Sequence, residues 1–185
     1  LLVGAGGHAR ACIDVIEQEG RFSVAGLAGL PHEVGTRILD YLVLGADEEL
    51  PALLGSHKHA LITVGQIKTP ELRMRLFAMV EEAGSVPPAI VSPRAYVSRH
   101  ASVGAGSIVL HGAVVNAGAI VGRNCIVNSQ SLVEHDAVIA DHCHIATAAA
   151  INSGVRIGTG TFVGSGTSVR QSISIGERCV IGMGQ

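Results

Sequence analysis

The sequence predicts two units: a small α/β unit with a Rossmann-like parallel sheet, then a parallel β-helix. Two observations carry this. From Val91 to Ile181 every sixth residue is valine or isoleucine, sixteen positions in register with no insertion. Ahead of that series, short apolar runs alternate with helical patterns, as expected of a parallel sheet covered by helices. Pro87-Pro88 marks the junction, so the predicted domains are 1–84 and 85–185.

In chain order, Leu1–Val3 reads as a first core strand running into the glycine loop Gly4-Ala5-Gly6-Gly7-His8-Ala9-Arg10. A helix follows to about Gly20. Phe22–Leu27 and Tyr41–Leu44 are candidate strands, and Asp47 is placed to cap a helix through Leu54. Ala60–Val64 reads as another strand. Thr69-Pro70-Glu71 then opens a helix to about Ala83.

The six-residue period fits neither an α-helix nor an alternating strand. It fits a chain wound as a triangular prism, in which each flat side is a short strand plus a turn and three sides make a coil of eighteen residues. The β-branched residue points inward and stacks on its equivalents in the neighbouring coils, a role that suits stiff side chains. One coil cannot bury its apolar face alone, so the coils stabilise each other. Two residues before each aliphatic stand mostly small residues, among them Ala95, Ser107, Ala113, Cys125, Cys143 and Thr161, as a crowded inner corner demands. Glycine often follows the aliphatic (Gly104, Gly122, Gly158, Gly164, Gly176, Gly182), which reads as relief of backbone strain at tight corners.

Composition narrows the classes. Net charge is −2 and only 15% of residues are charged, without the clustered basic face that a nucleic-acid footprint needs. No apolar run approaches a membrane span, and no signal peptide is visible. The chain starts without Met and stops at Gln185 inside a repeat, which predicts that it belongs to a slightly longer protein. Cys125, Cys143 and Cys179 occupy the inner-corner position and Cys12 falls in an apolar helix, so all four read as buried free thiols of a cytoplasmic protein. In His142-Cys143-His144 the histidines face one way and the cysteine the other, which argues against a structural zinc.

Gly4, Gly6 and Ala9 satisfy G-x-G-x-x-A after a strand. Such a loop lets backbone N–H groups approach a phosphate, with the following helix N-terminus favouring the anion. Gly4, Gly6, Gly7 and His8 are therefore candidate substrate-binding residues; a tight strand-to-helix turn with no ligand is the alternative. The second strand closes on Leu27-Ala28-Gly29 with no acidic residue, which disfavours NAD.

The Val-Gly and Ile-Gly hexads resemble the left-handed β-helix of hexapeptide acyltransferases, and handedness is implied by that resemblance alone. Together with the Gly-x-Gly-Gly-His-Ala loop, they make nearly the whole chain resemble bacterial sugar acyltransferases of the sialic-acid O-acetyltransferase and UDP-amino-sugar N-acetyltransferase type. The resemblance implies a homotrimer whose N-terminal domain holds the nucleotide of a sugar nucleotide. Acetyl-CoA would lie along the β-helix between two subunits, and no metal is implied. Relatives often carry an acidic residue or two after the second strand, which this reading does not find here.

Ser131-Leu132-Val133-Glu134-His135-Asp136 resembles the family segment whose histidine is the catalytic base, which implies that role for His135. Acetyl transfer from a thioester needs a neutral nucleophile, and a histidine near neutrality can take its proton. A carboxylate on the other ring nitrogen, Asp136 by the family match or else Glu134, would fix the tautomer. The resemblance assigns His144, nine residues on, to the acetyl donor or the sugar nucleotide. Ser153, Gly164 and Gly182 fall where a pantetheine groove would run, or are corner residues only. His100, His111 and His142 have no family match and read as surface residues. The expected activity is acetyl transfer to the amine of a nucleotide-linked amino sugar for bacterial surface glycans. O-acetylation of sialic acid or a related nonulosonic acid is an alternative, as is a non-catalytic or metal-binding hexapeptide scaffold.

Overall fold

The computed structural model describes residues 1–185. The N-terminal unit holds a five-stranded sheet in the order β3-β4-β2-β1-β5: β1 (Leu2–Val3), β2 (Leu27–Gly29), β3 (Arg37–Ile38), β4 (Tyr41–Ala46) and β5 (Leu61–Ile62). β1, β2, β4 and β5 are parallel; β3 runs antiparallel to β4, so the sheet is mixed at that edge. Three helices accompany it, α1 (Gly7–Glu19), α2 (Leu50–Ser56) and α3 (Glu71–Glu82).

Several boundaries differ from those predicted. Residues 22–26 are not strand, because pairing with β1 begins only at Leu27. β5 is shorter than Ala60–Val64. Asp47 makes no side-chain cap; it opens a 3-10 turn, Asp47–Glu49, and α2 starts after it with Pro51 in its first turn.

From Ile90–Val91 to Val180–Ile181 the chain forms sixteen two-residue strands, and each but the last three pairs in parallel with the strand eighteen residues on. They make the three faces of a left-handed β-helix. Face one runs through Ile108, Ile126, His144 and Phe162, face two through Val114, Leu132 and Ala150, and face three through Ile120, Val138 and Arg156. The inward aliphatics and the inner-corner residues Ala113, Cys125, Ala137, Cys143 and Ala149 form one core of 18 buried residues. Most inner-corner hydroxyls and thiols bond one kind of target, although Ser131 and Cys179 donate instead to the nearby carbonyls of Asn128 and Glu177. Ser107 Oγ donates to Gly122 O at 2.7 Å, Thr161 Oγ1 to Gly176 O at 2.7 Å, and the Cys125 and Cys143 thiols to Ala140 O and Gly158 O at 3.1 Å. Each thus satisfies a carbonyl on the next coil. Cys12, Cys125 and Cys143 are buried free thiols; Cys179, near the open end of the stack, is only half-buried.

The corner glycines have a different reason from the one expected. The left-handed backbone position lies three residues after the aliphatic, at Gly106, Gly112, Gly118, Asn124, Gln130, Asp136 and every sixth residue onward to Gly184. The glycine directly after the aliphatic answers to close approach between coils: a Cβ on Gly104 would stand 2.6 Å from the Gly122 carbonyl carbon, and one on Gly164 would stand 2.6 Å from that of Gly182. A side chain there would force the facing backbone to shift.

Face one carries the α/β unit. Ile90, Ile108, Leu110 and Ile126 share a buried cluster with Leu2, Ala9, Cys12, Ile13 and Ile16. Polar bonds span the same seam. Arg73 Nη2 donates to Asn124 O at 3.0 Å and to Asn124 Oδ1 at 2.7 Å, and Arg178 pairs with Glu71 at 2.9 Å. His111 joins it too, with Nε2 2.6 Å from Asp14 Oδ2 and Nδ1 2.6 Å from Ser92 Oγ. His142 packs edge-on against Phe77, its ring centroid 5.6 Å away. His111 and His142 are seam residues, not free surface residues, because the seam recruits the outward side of face one.

Candidate active site

Glu134, His135 and Asp136 occupy the corner between faces two and three. His135 Nδ1 lies 2.9 Å from Asp136 Oδ2, and the backbone N–H of His135 donates to Glu134 Oε2 at 3.0 Å. Asn116 Nδ2 also donates to Glu134 Oε2, at 3.1 Å, from one coil earlier. Glu134 is thus tied to the backbone, and Asp136 is the carboxylate on the ring. That hydrogen bond raises the His135 pKa above its ordinary 6.5. With Nδ1–H donated to Asp136, Nε2 is left free on an open surface: the side chains of His135 and Asp136 are 57% and 73% exposed. Asp136 adopts the left-handed conformation, φ +60°, of its place in the repeat. Ser153 stands in the same column as His135 one coil on, where the N–H of Gly154 donates to His135 O at 3.1 Å.

A second cluster lies at the seam. His8, on the first turn of α1, and His144, on face one, have ring centroids 6.4 Å apart. His144 Nδ1 donates to Gln66 O at 2.6 Å, its ring stands edge-on to Phe162, and Asn128 Nδ2 lies 3.3 Å from its Nε2. Burial holds the His144 pKa down to about 4 and that of His8 to about 3, with the Arg73 guanidinium adding to both. Both rings are therefore neutral at physiological pH. His8, Gly65, Gln66, Ile67, Lys68 and His144 line a groove of about 590 Å³.

At the C-terminal ends of β1 and β2 is a cleft of about 220 Å³, walled by Gly4, Gly6, Gly29, Leu30, Glu33, Asp47 and Val64 among others. Gly4 has φ +118°, and a Cβ there would stand 2.9 Å from the Val64 nitrogen, so it is required by the fold. Gly6 and Gly7 are exposed, with nothing within 4 Å of where a Cβ would stand, and leave the start of α1 open to a ligand. Glu33, not recognised from the sequence, supplies the carboxylate that β2 itself lacks. It turns back so that Oε2 accepts from Leu30 N at 2.7 Å, beside Gly29. The one sequence signal for it is a glutamate four residues past the strand end, after Pro31.

The proposed site residues thus fall into three groups. Gly4, Gly6 and Gly7 form one loop with His8, which alone of them meets His144 at the seam; Glu134, His135, Asp136 and Ser153 share one corner. Gly164 and Gly182 stack on each other at the corner leaving face one. No hydrogen bond in a single chain joins His135 to the seam cluster, and no three His, Cys, Asp or Glu side chains of one chain are grouped to hold a metal.

Residues 1–80 match the family described as the PglD N-terminal domain. No curated protein matches the chain. Among solved structures, it is similar to the acetyltransferase domain of PglB from Neisseria gonorrhoeae in complex with acetyl coenzyme A. The two share 26% identity over 99% of this chain and 87% of that one, with a TM-score of 0.87. Perosamine N-acetyltransferase from Caulobacter crescentus, in complex with CoA and GDP-perosamine, is 29% identical over 99% of this chain and 85% of that one, with a TM-score of 0.91. WeeI from Acinetobacter baumannii, at 23% identity, 99% and 88% coverage and a TM-score of 0.86, shares the fold. The chain thus joins a PglD-type N-terminal domain to a left-handed β-helix, the arrangement of the acetyltransferases it is similar to.

Proposed function

We propose that the chain moves the acetyl group of acetyl-CoA to the amine of a nucleotide-linked amino sugar used for bacterial surface glycans, with His135 as the base. The observation that carries this is the His135–Asp136 pair, which aims a basic, unoccupied Nε2 outward from a β-helix corner. The relatives support the substrates: one was solved with acetyl coenzyme A, another with CoA and GDP-perosamine. Two forms of the Caulobacter enzyme have one histidine replaced, by asparagine or by alanine.

In this reading the diphosphate lies at Gly6 and Gly7, where free N–H groups and the α1 dipole meet an anion. The neutral amine attacks the thioester carbonyl while His135 Nε2 takes its proton. Asp136 steadies the resulting imidazolium. The tetrahedral intermediate collapses with loss of CoA thiolate, which the imidazolium reprotonates, leaving an amide and free CoA. A backbone N–H of a facing coil would stabilise the oxyanion.

His135 and the seam groove lie on different sides of the prism, so one copy's base would serve its neighbour's groove. The half-exposed apolar face two, with Tyr96, Val114, Leu132 and Ala150, suits packing in a homotrimer. Ser153 at the base's own corner, and Gly164 and Gly182 at the adjacent one, would border the CoA groove. A need for acetyl-CoA and a sugar nucleotide supports a cytoplasmic location.

The test is CoA-thiol release from acetyl-CoA with UDP-, GDP- and CMP-linked sugars, comparing wild type with His135→Ala. Turnover on an amino sugar that falls by about 10²–10⁴-fold in the variant is expected. Equal rates would remove His135 from the mechanism, and turnover only on sialic-type acceptors would make the enzyme an O-acetyltransferase.

A further inference from the structure

Gln66 is held at both its peptide and its side chain. Its carbonyl accepts from His144 Nδ1 at 2.6 Å, and its side-chain Nε2 donates to Gly160 O at 3.0 Å, both on the β-helix. The second bond fixes which end of the amide is oxygen, since a flip would set Oε1 against a carbonyl. Gln66 is 2% exposed, yet Oε1 has no hydrogen-bond partner, and neither does Nε2 of His8. Both residues line the groove that also holds His144 and Lys68. A buried acceptor without a donor is costly, so its persistence points to a partner that arrives from outside.

The chemistry of that partner is constrained. Oε1 only accepts, so the incoming group must donate. A phosphate oxygen cannot do this, nor can a thioester carbonyl; a sugar hydroxyl or amine can, and so can a pantetheine amide. His8 belongs to the loop whose glycines are placed for the diphosphate, and the group covalently next to the diphosphate is the sugar.

We infer that Gln66 reads the sugar of the acceptor, accepting a hydrogen bond from a ring hydroxyl or from the amine, with His8 beside it. This rests on the acetyl-transfer reading above. Both partnerless atoms are buried in residues that line the groove. The sugar therefore meets them as the exposed Ile67–Lys68 stretch yields. Gln66 is then a specificity residue, distant from the His135 of its own chain and separate from the phosphate cradle.

The experiment compares wild type with Gln66→Met, a near-isostere with no acceptor oxygen. Titration calorimetry measures Kd for whichever GDP-, UDP- or CMP-linked amino sugar turns over, and for its bare nucleotide; kinetics give KM for acetyl-CoA. The affinity gained from the sugar should fall tenfold or more, while bare-nucleotide Kd and acetyl-CoA KM stay within twofold. An unchanged sugar contribution overturns the inference, as does a rise in acetyl-CoA KM, which would assign Gln66 to pantetheine. So does an equal loss for the bare nucleotide, which would make Gln66 structural. If the variant does not fold, wild-type binding to sugars lacking single hydroxyls, or with the amine replaced by hydrogen, reads the same contact. One position should lose tenfold or more, and a flat series overturns the idea. Acetyl transfer without a Gln66 effect sinks this inference alone; no transfer to any nucleotide amino sugar sinks the proposed function and this with it.

Discussion

In the β-helix, His135 stands where it does because equivalent backbone lies eighteen residues before and after it, hydrogen-bonded coil to coil. In the α/β unit, Gln66 and Arg73 are held by partners 94 and 51 residues away that no local pattern repeats. The β-helix buries its own aliphatic column. The α/β unit shares one of its two buried clusters with face one, so some of its core belongs to its neighbour. The difference teaches that the proposed base is placed by a lattice, whereas the proposed substrate side is placed by docking.

Paired core substitutions test this most strongly. Ile139→Ala, inside the prism, and Ile126→Ala, on the seam, should each cost about 2–5 kcal/mol in urea unfolding, since both side chains are fully buried. Only Ile126→Ala should speed amide exchange in α1 while β-helix amides stay protected. Equal loosening of α1 by both would show that the two units unfold as one.

Glycines sharpen the contrast at smaller cost. A Cβ at Gly122 would stand 2.7 Å from the Asp141 nitrogen, so Gly122→Ala must push adjacent coils apart and should cost about 1–3 kcal/mol, read as a lower Tm. Gly7→Ala meets nothing within 4 Å and sits on the first turn of a helix. Its Tm should hold or rise, by up to about 1 kcal/mol in stability, while nucleotide affinity falls. Unchanged affinity would leave the loop as a plain turn.

The smallest expected effect is a shift in a pH profile. As the proposed base His135 acts unprotonated, so kcat/KM should fall as pH drops through its pKa, which the bond to Asp136 raises above 6.5. Asp136→Asn removes that stabilisation of the imidazolium. The acid limb should move to lower pH while the plateau rate also falls. An unmoved limb would mean that another group titrates, or that Asp136 does not face the ring during catalysis.

Much of this is legible in the sequence because a solenoid repeats its instructions. The hexad places the inward column, the inner corners and the His135 string. The left-handed positions are harder to see, because Asn124, Gln130, Asp136, His142 and Ala148 interrupt the glycines there. Handedness comes only with the family resemblance. The α/β unit is legible in outline, but strand ends depend on which neighbour offers a partner. Residues 22–26 therefore read as strand without being one, and β3 gives no signal. Glu33, Gln66 and Arg73 carry no local pattern strong enough to mark them. Arg73 is the extreme case: a wholly buried guanidinium whose acceptors are Ile62 O, Val64 O and Asn124, gathered from separate stretches of chain.

The strict coil also makes changes of length discrete. Duplicating or deleting eighteen residues within the prism would slide one end of the stack by about 4.8 Å and leave every face in phase. Inserting six would turn all later residues by one face. Placed between Asn128 and His135, such an insertion would rotate the proposed base to a different side of the molecule and carry His142, His144, Gly160 and Arg178 off the seam, while leaving the coil stacking in phase. The active-site geometry can therefore change by whole steps, and selection on this scaffold acts on a ratchet.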